Sequence, residues 1–236
     1  MRVLVVQQDH VSAPGPVGEA FAERGYDVEE FLVVPPERFS DPGVDAAFPD
    51  PTGYDAVVAM GAPWSVGAAA IASWVAPELA MLRTAHAAGV PVLGICFGGQ
   101  ALAAALGGAV ERSPAPELGW VGIATDDAEL VGPGPWFQWH QDRWVLPPGA
   151  REIARTPVAS QAFVAGRSLA VQFHPELTPA QLDGWLENGG TAFLSAHDVD
   201  AEELRARTRD EAEAAGRRSR RLVHAFLDRV ATAATA

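Results

Sequence analysis

One cysteine, one histidine and one glutamate have the types and the spacing that nucleophilic chemistry needs. Cys96 is the only cysteine among 236 residues and lies in GICFGGQ, between a short apolar run and a pair of glycines. His174 and Glu176 stand further along, in FHPEL. A cysteine thiolate attacks a carbonyl carbon when a base moves the proton, and that base needs an orienting group. In an extended segment residues i and i+2 point to the same side, so Glu176 can hold one ring nitrogen of His174 while the other faces the thiol.

The residues around Cys96 predict a sharp turn between a strand and a helix. PVLGI (91–95) is typical of a buried strand, and the stretch from Gly99 to Leu106, followed by two glycines, predicts a helix. Such a turn lifts one side chain above the carboxyl edge of a sheet. The free N–H groups and the dipole of the helix favour a thiolate there and can stabilise an oxyanion. The alternative is an inert core cysteine, because cysteine is among the most buried residue types.

The first half of the chain alternates strand and helix patterns. This order predicts a parallel sheet covered by helices on both faces, with a connecting loop at 35–53. The predicted strands are 2–6, 28–34, 56–60 and 91–95, and the predicted helices between them are 16–25 and 71–89.

The second half of the chain has a different pattern of predicted elements. Short strand-like pieces between LGWVGIAT (118–125) and SLAVQFH (168–174) predict antiparallel strands beside the main sheet. From Thr178 onward the pattern is helical, and four arginines between 217 and 221 form a basic cluster. Glutamates stand four residues before Arg207 and Arg217, so we interpret this cluster as a solvated helix face, the alternative being a docking surface for a partner.

Composition sets outer limits on the class of protein. With 48% hydrophobic and 20% charged residues, the chain is typical of a packed globular protein, and we expect one domain over 1–236, with a core at 1–177 and a helical extension at 178–236. A net charge of −13 argues against a nucleic-acid partner. No apolar run is long enough to span a membrane and the N-terminus lacks a signal-peptide pattern, so we expect a soluble cytoplasmic protein.

The motifs around Cys96 and His174 resemble those of a known enzyme family. Cys96 in G-x-C-x-G-x-Q, followed by His174 and Glu176 in H-P-E, is similar to the class I, or triad, glutamine amidotransferases, and most similar to the glutaminase domain of GMP synthetases. The resemblance extends over most of residues 1–177. It implies a flavodoxin-like α/β fold with Cys96 on a nucleophile elbow. It also implies that Cys96 is the nucleophile, His174 the general base and then acid, and Glu176 the group that orients His174.

The resemblance extends to an oxyanion-binding loop. VVAMGAPWSV (57–66) is similar to the family's Gly-Gly-Pro loop, which implies that the backbone N–H groups of Ala62 and Phe97 bind the oxyanion and that Gly61 shapes the turn. Ala62 departs from the family pattern, which has a second glycine there, and an alanine restricts φ.

A second segment resembles the substrate pocket of the family. WFQWHQDRW (136–144) is similar to its His-Gly-Asp segment, with His140 and Asp142 in place and Gln141 instead of glycine. By this resemblance His140, Asp142 and Gln100 contribute to the glutamine pocket.

The implied reaction is hydrolysis of the side-chain amide of glutamine through a γ-glutamyl thioester, without a metal or an organic cofactor. The chain lacks nucleotide-binding glycine motifs and has little length after Glu176, so we expect a separate ATP-dependent synthetase subunit to use the ammonia. The alternative is a stand-alone γ-glutamyl hydrolase or peptidase with the same three residues. Two weaker alternatives are a non-catalytic regulatory module and a metal site formed by two histidine–acid pairs, His140 with Asp142 and His174 with Glu176.

The tryptophans leave two interpretations open. The chain has seven of them, and five stand near the expected pocket in sequence: Trp64, Trp120, Trp136, Trp139 and Trp144. We expect these to be core residues, the alternative being an apolar acceptor site. Because Trp64 directly follows the Gly61-Ala62-Pro63 turn, it is the strongest candidate for influencing substrate choice.

Overall fold

A computed structural model describes residues 1–233 as a central sheet enclosed by helices. The strands are β1 (Arg2–Asp9), β2 (Asp27–Val34), β3 (Ala56–Ala59), β4 (Val92–Ile95), β5 (Ala109–Val121), β6 (Ala124–Thr125), β7 (Trp136–Val145), β8 (Arg151–Arg155), β9 (Ser160–Ala165) and β10 (Ser168–Val171). The helices are α1 (Gly15–Glu23), α2 (Ala72–Ala87), α3 (Phe97–Ala105), α4 (Pro179–Trp185), α5 (Thr191–Ser195) and α6 (Ala201–Ala225).

The inner strands of the parallel part of the sheet are buried on both faces, as the strand–helix alternation predicts. Its order is β2-β1-β3-β4-β10, and all these neighbours pair in parallel. Successive side chains of β1 enter opposite faces: Val3 packs with α1 and the C-terminal helix, whereas Leu4 packs with α2 and α3. The predicted flavodoxin-like architecture is therefore confirmed.

Several of the later strands do not lie where the sequence pattern placed them. Residues 168–171 form the parallel strand β10, next to β4, and β9, β8 and β6 continue the same sheet in antiparallel fashion. The small separate sheet consists of β5 and β7, and β5 begins at Ala109, well before the predicted LGWVGIAT piece. The assignment of SLAVQFH to an antiparallel strand beside the main sheet was wrong. Its four strand residues are all buried, as two-sided cover by helices requires.

The helix after Cys96 begins at Phe97 rather than at the predicted Gly99. Gly98 and Gly99 are part of this helix, and because they have no side chain the helix can approach the sheet closely. A methyl group on Gly98 would overlap the carbonyl of Ala59, and one on Gly99 would lie 3.0 Å from the Trp144 ring. The function of these two glycines is therefore close packing.

The C-terminal segment is helical, as predicted, and covers one face of the sheet. Helix α6 packs against α1, and its Leu222 and Val223 enter the same core as Val3. Arg217 and Arg220 of the basic cluster pair with Glu213 and Glu23, in agreement with a solvated helix face. No helix within residues 1–233 is long and apolar enough to cross a membrane.

Candidate active site

Cys96 occupies a strained position at the carboxyl edge of the sheet. It lies between the end of β4 and the first residue of α3, with φ 49° and ψ −109°. A positive φ costs a residue with a side chain on the order of 1–3 kcal/mol, so the surroundings must enforce it. The Cys96 N–H donates to the carbonyl of Val171 at 2.8 Å, and the Gly98 N–H donates to the carbonyl of Met60 at 2.9 Å. Neighbouring strands therefore hold the turn on both sides.

His174 and Glu176 form a buried pair. Nδ1 of His174 lies 2.7 Å from Oε1 of Glu176, and the two side chains are 5% and 0% exposed. The strand expected to carry them ends at Val171, and the pair lies in a turn instead. The His174 N–H donates to the carbonyl of Phe137 at 2.8 Å, and this bond to β7 fixes the turn. The pairing of His174 with Glu176 is thus as predicted, although the extended geometry used to predict it is not present.

The second ring nitrogen of His174 is available for chemistry. Nε2 is buried and has no hydrogen-bond partner among the described residues. Burial disfavours the imidazolium, but the Glu176 carboxylate and the nearby Cys96 sulfur outweigh it and raise the pKa of His174 to about 10. The histidine is therefore protonated near neutral pH and positioned to give up this proton.

Gly61 lies against both His174 and Cys96. A methyl group at this glycine would lie 2.9 Å from Cε1 of His174 and 3.7 Å from Cβ of Cys96. The next residue, Ala62, has no positive φ, so an alanine is accommodated there without strain. The N–H of Phe97 is in the first turn of α3, where helix N–H groups have no intrahelical partner.

The side-chain amides of Gln172 and Gln100 form a hydrogen-bonded chain from the Cys96 sulfur to Asp142. Nε2 of Gln172 donates toward Sγ of Cys96 at 3.6 Å. Nε2 of Gln100 lies 3.3 Å from Oε1 of Gln172 and donates to the carbonyl of Asp142 at 2.9 Å. Gln172 was missed from the sequence. Its place two residues before His174 is the signal that could have found it.

His140 is held by two oxygen atoms. Its Nε2 lies 3.0 Å from Oε2 of Glu117 and its Nδ1 lies 3.0 Å from the carbonyl of Asp142. A carbonyl oxygen can only accept, so Nδ1 of His140 donates to Asp142. Gln161 donates to the same Glu117 oxygen at 2.7 Å. Each ring nitrogen of His140 thus has a hydrogen-bond partner within the protein. The residue therefore positions the segment that carries Asp142.

A cavity of about 330 Å³ opens above Cys96. Seven of the nine residues predicted for the triad, the oxyanion site and the glutamine pocket line it: Cys96, His174, Ala62, Phe97, Gln100, His140 and Asp142. Gly61 and Glu176 are not among the lining residues. The sequence did not indicate Arg112, which donates to Gln141 and whose Nη1 lies 3.6 Å from Oδ1 of Asp142. Nor did it indicate Phe39, Trp185 or Phe193, which also line the cavity.

The tryptophans divide between the two interpretations. Trp120, Trp136 and Trp144 are buried core residues, as expected. Trp64 and Trp139 line the cavity instead. Within residues 1–233 no group of three or more histidine, cysteine, aspartate or glutamate side chains is placed to hold a metal ion.

The sheet, the strained cysteine and the His–Glu pair are those of a class I glutamine amidotransferase. The family model "Glutamine amidotransferase class-I" matches residues 19–190, and the chain belongs to this family. Among curated relatives, the GMP synthase (glutamine-hydrolyzing) of Aeropyrum pernix is 42% identical over 111 residues, which are 42% of this chain and 22% of the relative. That of Thermus thermophilus is 38% identical over 137 residues, 52% of this chain and 27% of the relative. The chain thus matches only about a quarter of the length of these relatives.

Solved structures share the fold over almost the whole chain. A glutamine amidotransferase from Thermotoga maritima superposes with a TM-score of 0.80 at 23% identity, over 99% of both chains. A glutamine amidotransferase from Methylobacillus flagellatus gives 0.82 at 24% identity, over 96% of this chain and 94% of the other. At these identities the comparison establishes the fold.

Proposed function

We propose that the chain hydrolyses the side-chain amide of glutamine through a covalent intermediate on Cys96. The observation that carries the proposal is the position of His174, which is bound to Glu176 on one side and has its other nitrogen free beside the sulfur, at the floor of a cavity. A nucleophile, a proton carrier and an orienting acid in this arrangement are what cleavage of an amide requires.

In the first step the Cys96 thiolate attacks the γ-carbonyl carbon of the substrate. A C–S bond forms, and the electron pair of the carbonyl moves to its oxygen, which the N–H groups of Ala62 and Phe97 stabilise. His174 gives its proton to the amide nitrogen, the C–N bond breaks, and ammonia leaves a γ-glutamyl thioester. The high pKa of His174 supports this step because the proton is already on the ring near neutral pH.

In the second step water attacks the thioester. Neutral His174 accepts a proton from the water, a C–O bond forms, and the C–S bond breaks to give glutamate and the Cys96 thiolate. Glu176 keeps the ring oriented in both steps and stabilises its charged form. Asp142, Gln100 and the segment that His140 positions form the polar part of the cavity, where we propose that the amino-acid end of glutamine binds.

Two uses of this reaction are candidates. By analogy with the relatives named GMP synthase (glutamine-hydrolyzing), we propose that a separate ATP-dependent synthetase subunit consumes the ammonia. The second candidate is a stand-alone γ-glutamyl amide hydrolase, and the observation that favours it is the set of aromatic side chains around the cavity. The two candidates differ in the leaving group and share every step at Cys96.

The test is glutamate release from glutamine by the purified full chain. We expect Cys96→Ala to lower the rate by at least about 10⁴-fold, because the variant has no nucleophile. A chloroketone analogue of glutamine should add one covalent label to the wild type, detected by mass spectrometry, and none to the variant. A partner-dependent glutaminase labels readily but releases glutamate slowly when alone. Unlabelled wild-type protein that also releases no glutamate would contradict the proposed function.

A further inference from the structure

The cavity above Cys96 has aromatic walls that a glutaminase reaction does not explain. One wall, here called the C-terminal wall, consists of Trp139, Trp185 and Phe193. The other, the loop wall, consists of Phe39 and Trp64. We infer that these walls form a leaving-group site for apolar amines, so that the chain cleaves γ-glutamyl amides of aliphatic or aromatic amines. This inference rests on the proposed function, because it names the substrate class of the same site.

The C-terminal wall is a continuous packed surface beside His174. The rings of Trp139 and Phe193 are nearly parallel, with centroids 6.0 Å apart and an interplanar angle of 24°. Trp185 packs edge-on against Trp139 at 5.9 Å and against the ring of His174 at 4.8 Å. The indole N–H of Trp185 donates to the carbonyl of Val11 at 3.0 Å, so this ring is fixed in place. The wall is therefore formed before any substrate binds.

The loop wall is equally well supported. Phe39 and Trp64 lie 5.6 Å apart, and Trp64 packs edge-on against the fully buried Trp74 at 6.0 Å. Phe39 also contacts the ring of His10 at 5.2 Å. Residue 39 lies in the segment that was expected to be only a connecting loop, and no motif in that segment connects it with the cavity.

Four polar side chains of the cavity lie close to one another. Gln100, Arg112, Gln141 and Asp142 bring together a positive charge, a negative charge and two amides. The amino-acid end of a γ-glutamyl compound carries an ammonium and a carboxylate, which need partners of this kind. With that end of the substrate at the polar groups, the aromatic walls remain for the substituent on the amide nitrogen.

The reaction geometry brings that substituent to the C-terminal wall. His174 must deliver its proton to the departing nitrogen, so the nitrogen lies within hydrogen-bond reach of Nε2 when the C–N bond breaks. Any group attached to this nitrogen is then beside the His174 ring, on which Trp185 packs. Ammonia has no apolar surface, and it gains nothing from aromatic neighbours.

The charges of the cavity favour an apolar amine over a cationic one. Apart from Asp142 in the polar region, the carboxylate that lines the cavity is Asp9. Its two oxygens accept from the N–H of Val11 at 2.9 Å and from the hydroxyl of Ser12 at 2.9 Å. Asp9 is fully buried, and burial raises its pKa. Both oxygens of Asp9 thus already accept hydrogen bonds from the protein, and an ammonium group would have to compete with these donors.

The experiment compares four substrates with the purified full chain: glutamine, γ-glutamylbenzylamide, γ-glutamylbutylamide and γ-glutamyl(4-aminobutyl)amide. The last two leaving groups share a four-carbon chain, which ends in a methyl group in the first and carries a charged amino group in the second. We expect kcat/KM for the benzylamide and the butylamide to exceed that for glutamine by at least about 10-fold, since even one methylene group in an apolar pocket is worth about that factor. We expect the aminobutylamide to be the poorer substrate of the matched pair.

Two substitutions at Phe193 test whether the C-terminal wall causes the preference for apolar amides. Phe193→Ala and, in case that variant does not fold, the smaller change Phe193→Leu should lower the ratio of kcat/KM for the benzylamide to that for glutamine, the first by about 10-fold. The matched control is Phe48→Ala, which removes a half-buried phenylalanine that packs on Phe31, away from the cavity. This control should leave the ratio unchanged.

The outcomes separate the inference from the proposed function. If glutamine is hydrolysed but neither apolar amide is cleaved faster, the inference is wrong and the proposed function stands. If the aminobutylamide is preferred to the butylamide, the site selects cationic amines and the inference is again wrong. Failure of all four substrates together with failure of covalent labelling at Cys96 overturns both proposals. A preference for the apolar amides that Phe193→Ala removes supports the inference.

Discussion

The turn that carries Cys96 and the C-terminal wall meet at one cavity but are built by different means. The turn is set by backbone: Cys96 is held at positive φ by hydrogen bonds to neighbouring strands and by glycines that allow close approach. The wall is set by side chains, because Trp139 and Phe193 come from distant elements that meet through ring packing. Groups that react need exact placement, whereas groups that select a substrate need shape and apolar surface.

This contrast predicts that changes at the turn affect all substrates by one factor and that changes at the walls affect them unequally. The largest expected effect after loss of Cys96 itself comes from Glu176→Gln. An amide keeps the shape but not the charge that holds His174, so we expect kcat to fall by about 10³- to 10⁴-fold. Equal losses for glutamine and for γ-glutamylbenzylamide, measured by glutamate release, agree with the contrast. Unequal losses would show that Glu176 also takes part in selection.

A smaller effect is expected from Gly61→Ala. The added methyl would lie 2.9 Å from Cε1 of His174, so the ring must shift, and a displacement of this kind costs about 10²-fold in kcat. The matched control is Gly67→Ala in the same loop, where the methyl would meet no atom within 4 Å. Thermal unfolding of both variants checks that the fold is retained. Wild-type activity of Gly61→Ala would mean that the contact with His174 does not set the position of the ring.

The last prediction concerns the pH dependence of stability rather than a rate. The pKa of His174 is about 10 in the folded chain and 6.5 for an unperturbed histidine, so the folded state binds this proton more tightly. The stabilisation is complete below about pH 6.5 and is lost as the pH rises through about 10. Urea unfolding of the wild type and of His174→Gln should therefore give free energies of unfolding that converge toward pH 10. A constant difference across this range would contradict the raised pKa.

The sequence predicted the parts that depend on local pattern. The alternation of apolar runs and helices indicated the parallel sheet, and the short motifs around Cys96 and His174 indicated which residues meet at its edge. Local pattern was also misleading: SLAVQFH was predicted to be an antiparallel strand, whereas residues 168–171 pair in parallel with β4. An apolar run indicates that a strand is buried but not which strand it pairs with.

The walls of the cavity could not be predicted in the same way. Phe39, Trp185 and Phe193 belong to segments without a motif, and only the packing of the complete chain brings them to one cavity. Gln172 is an intermediate case. It stands beside His174 in sequence, but its contact with the sulfur depends on the pairing of β10 with β4, which the sequence pattern did not indicate.

The long interval between Cys96 and His174 has a consequence for the chain as it is being made. Synthesis proceeds from the N-terminus, so the thiol leaves the ribosome well before the histidine that we propose as its proton carrier. Strand β10, which holds the backbone of Cys96 and precedes His174, pairs with β4 only after the intervening residues have emerged. A nascent chain thus carries an ordinary thiol. Under the proposed function, reactivity requires the closed sheet, and Trp185 and Phe193 are synthesised later than β10.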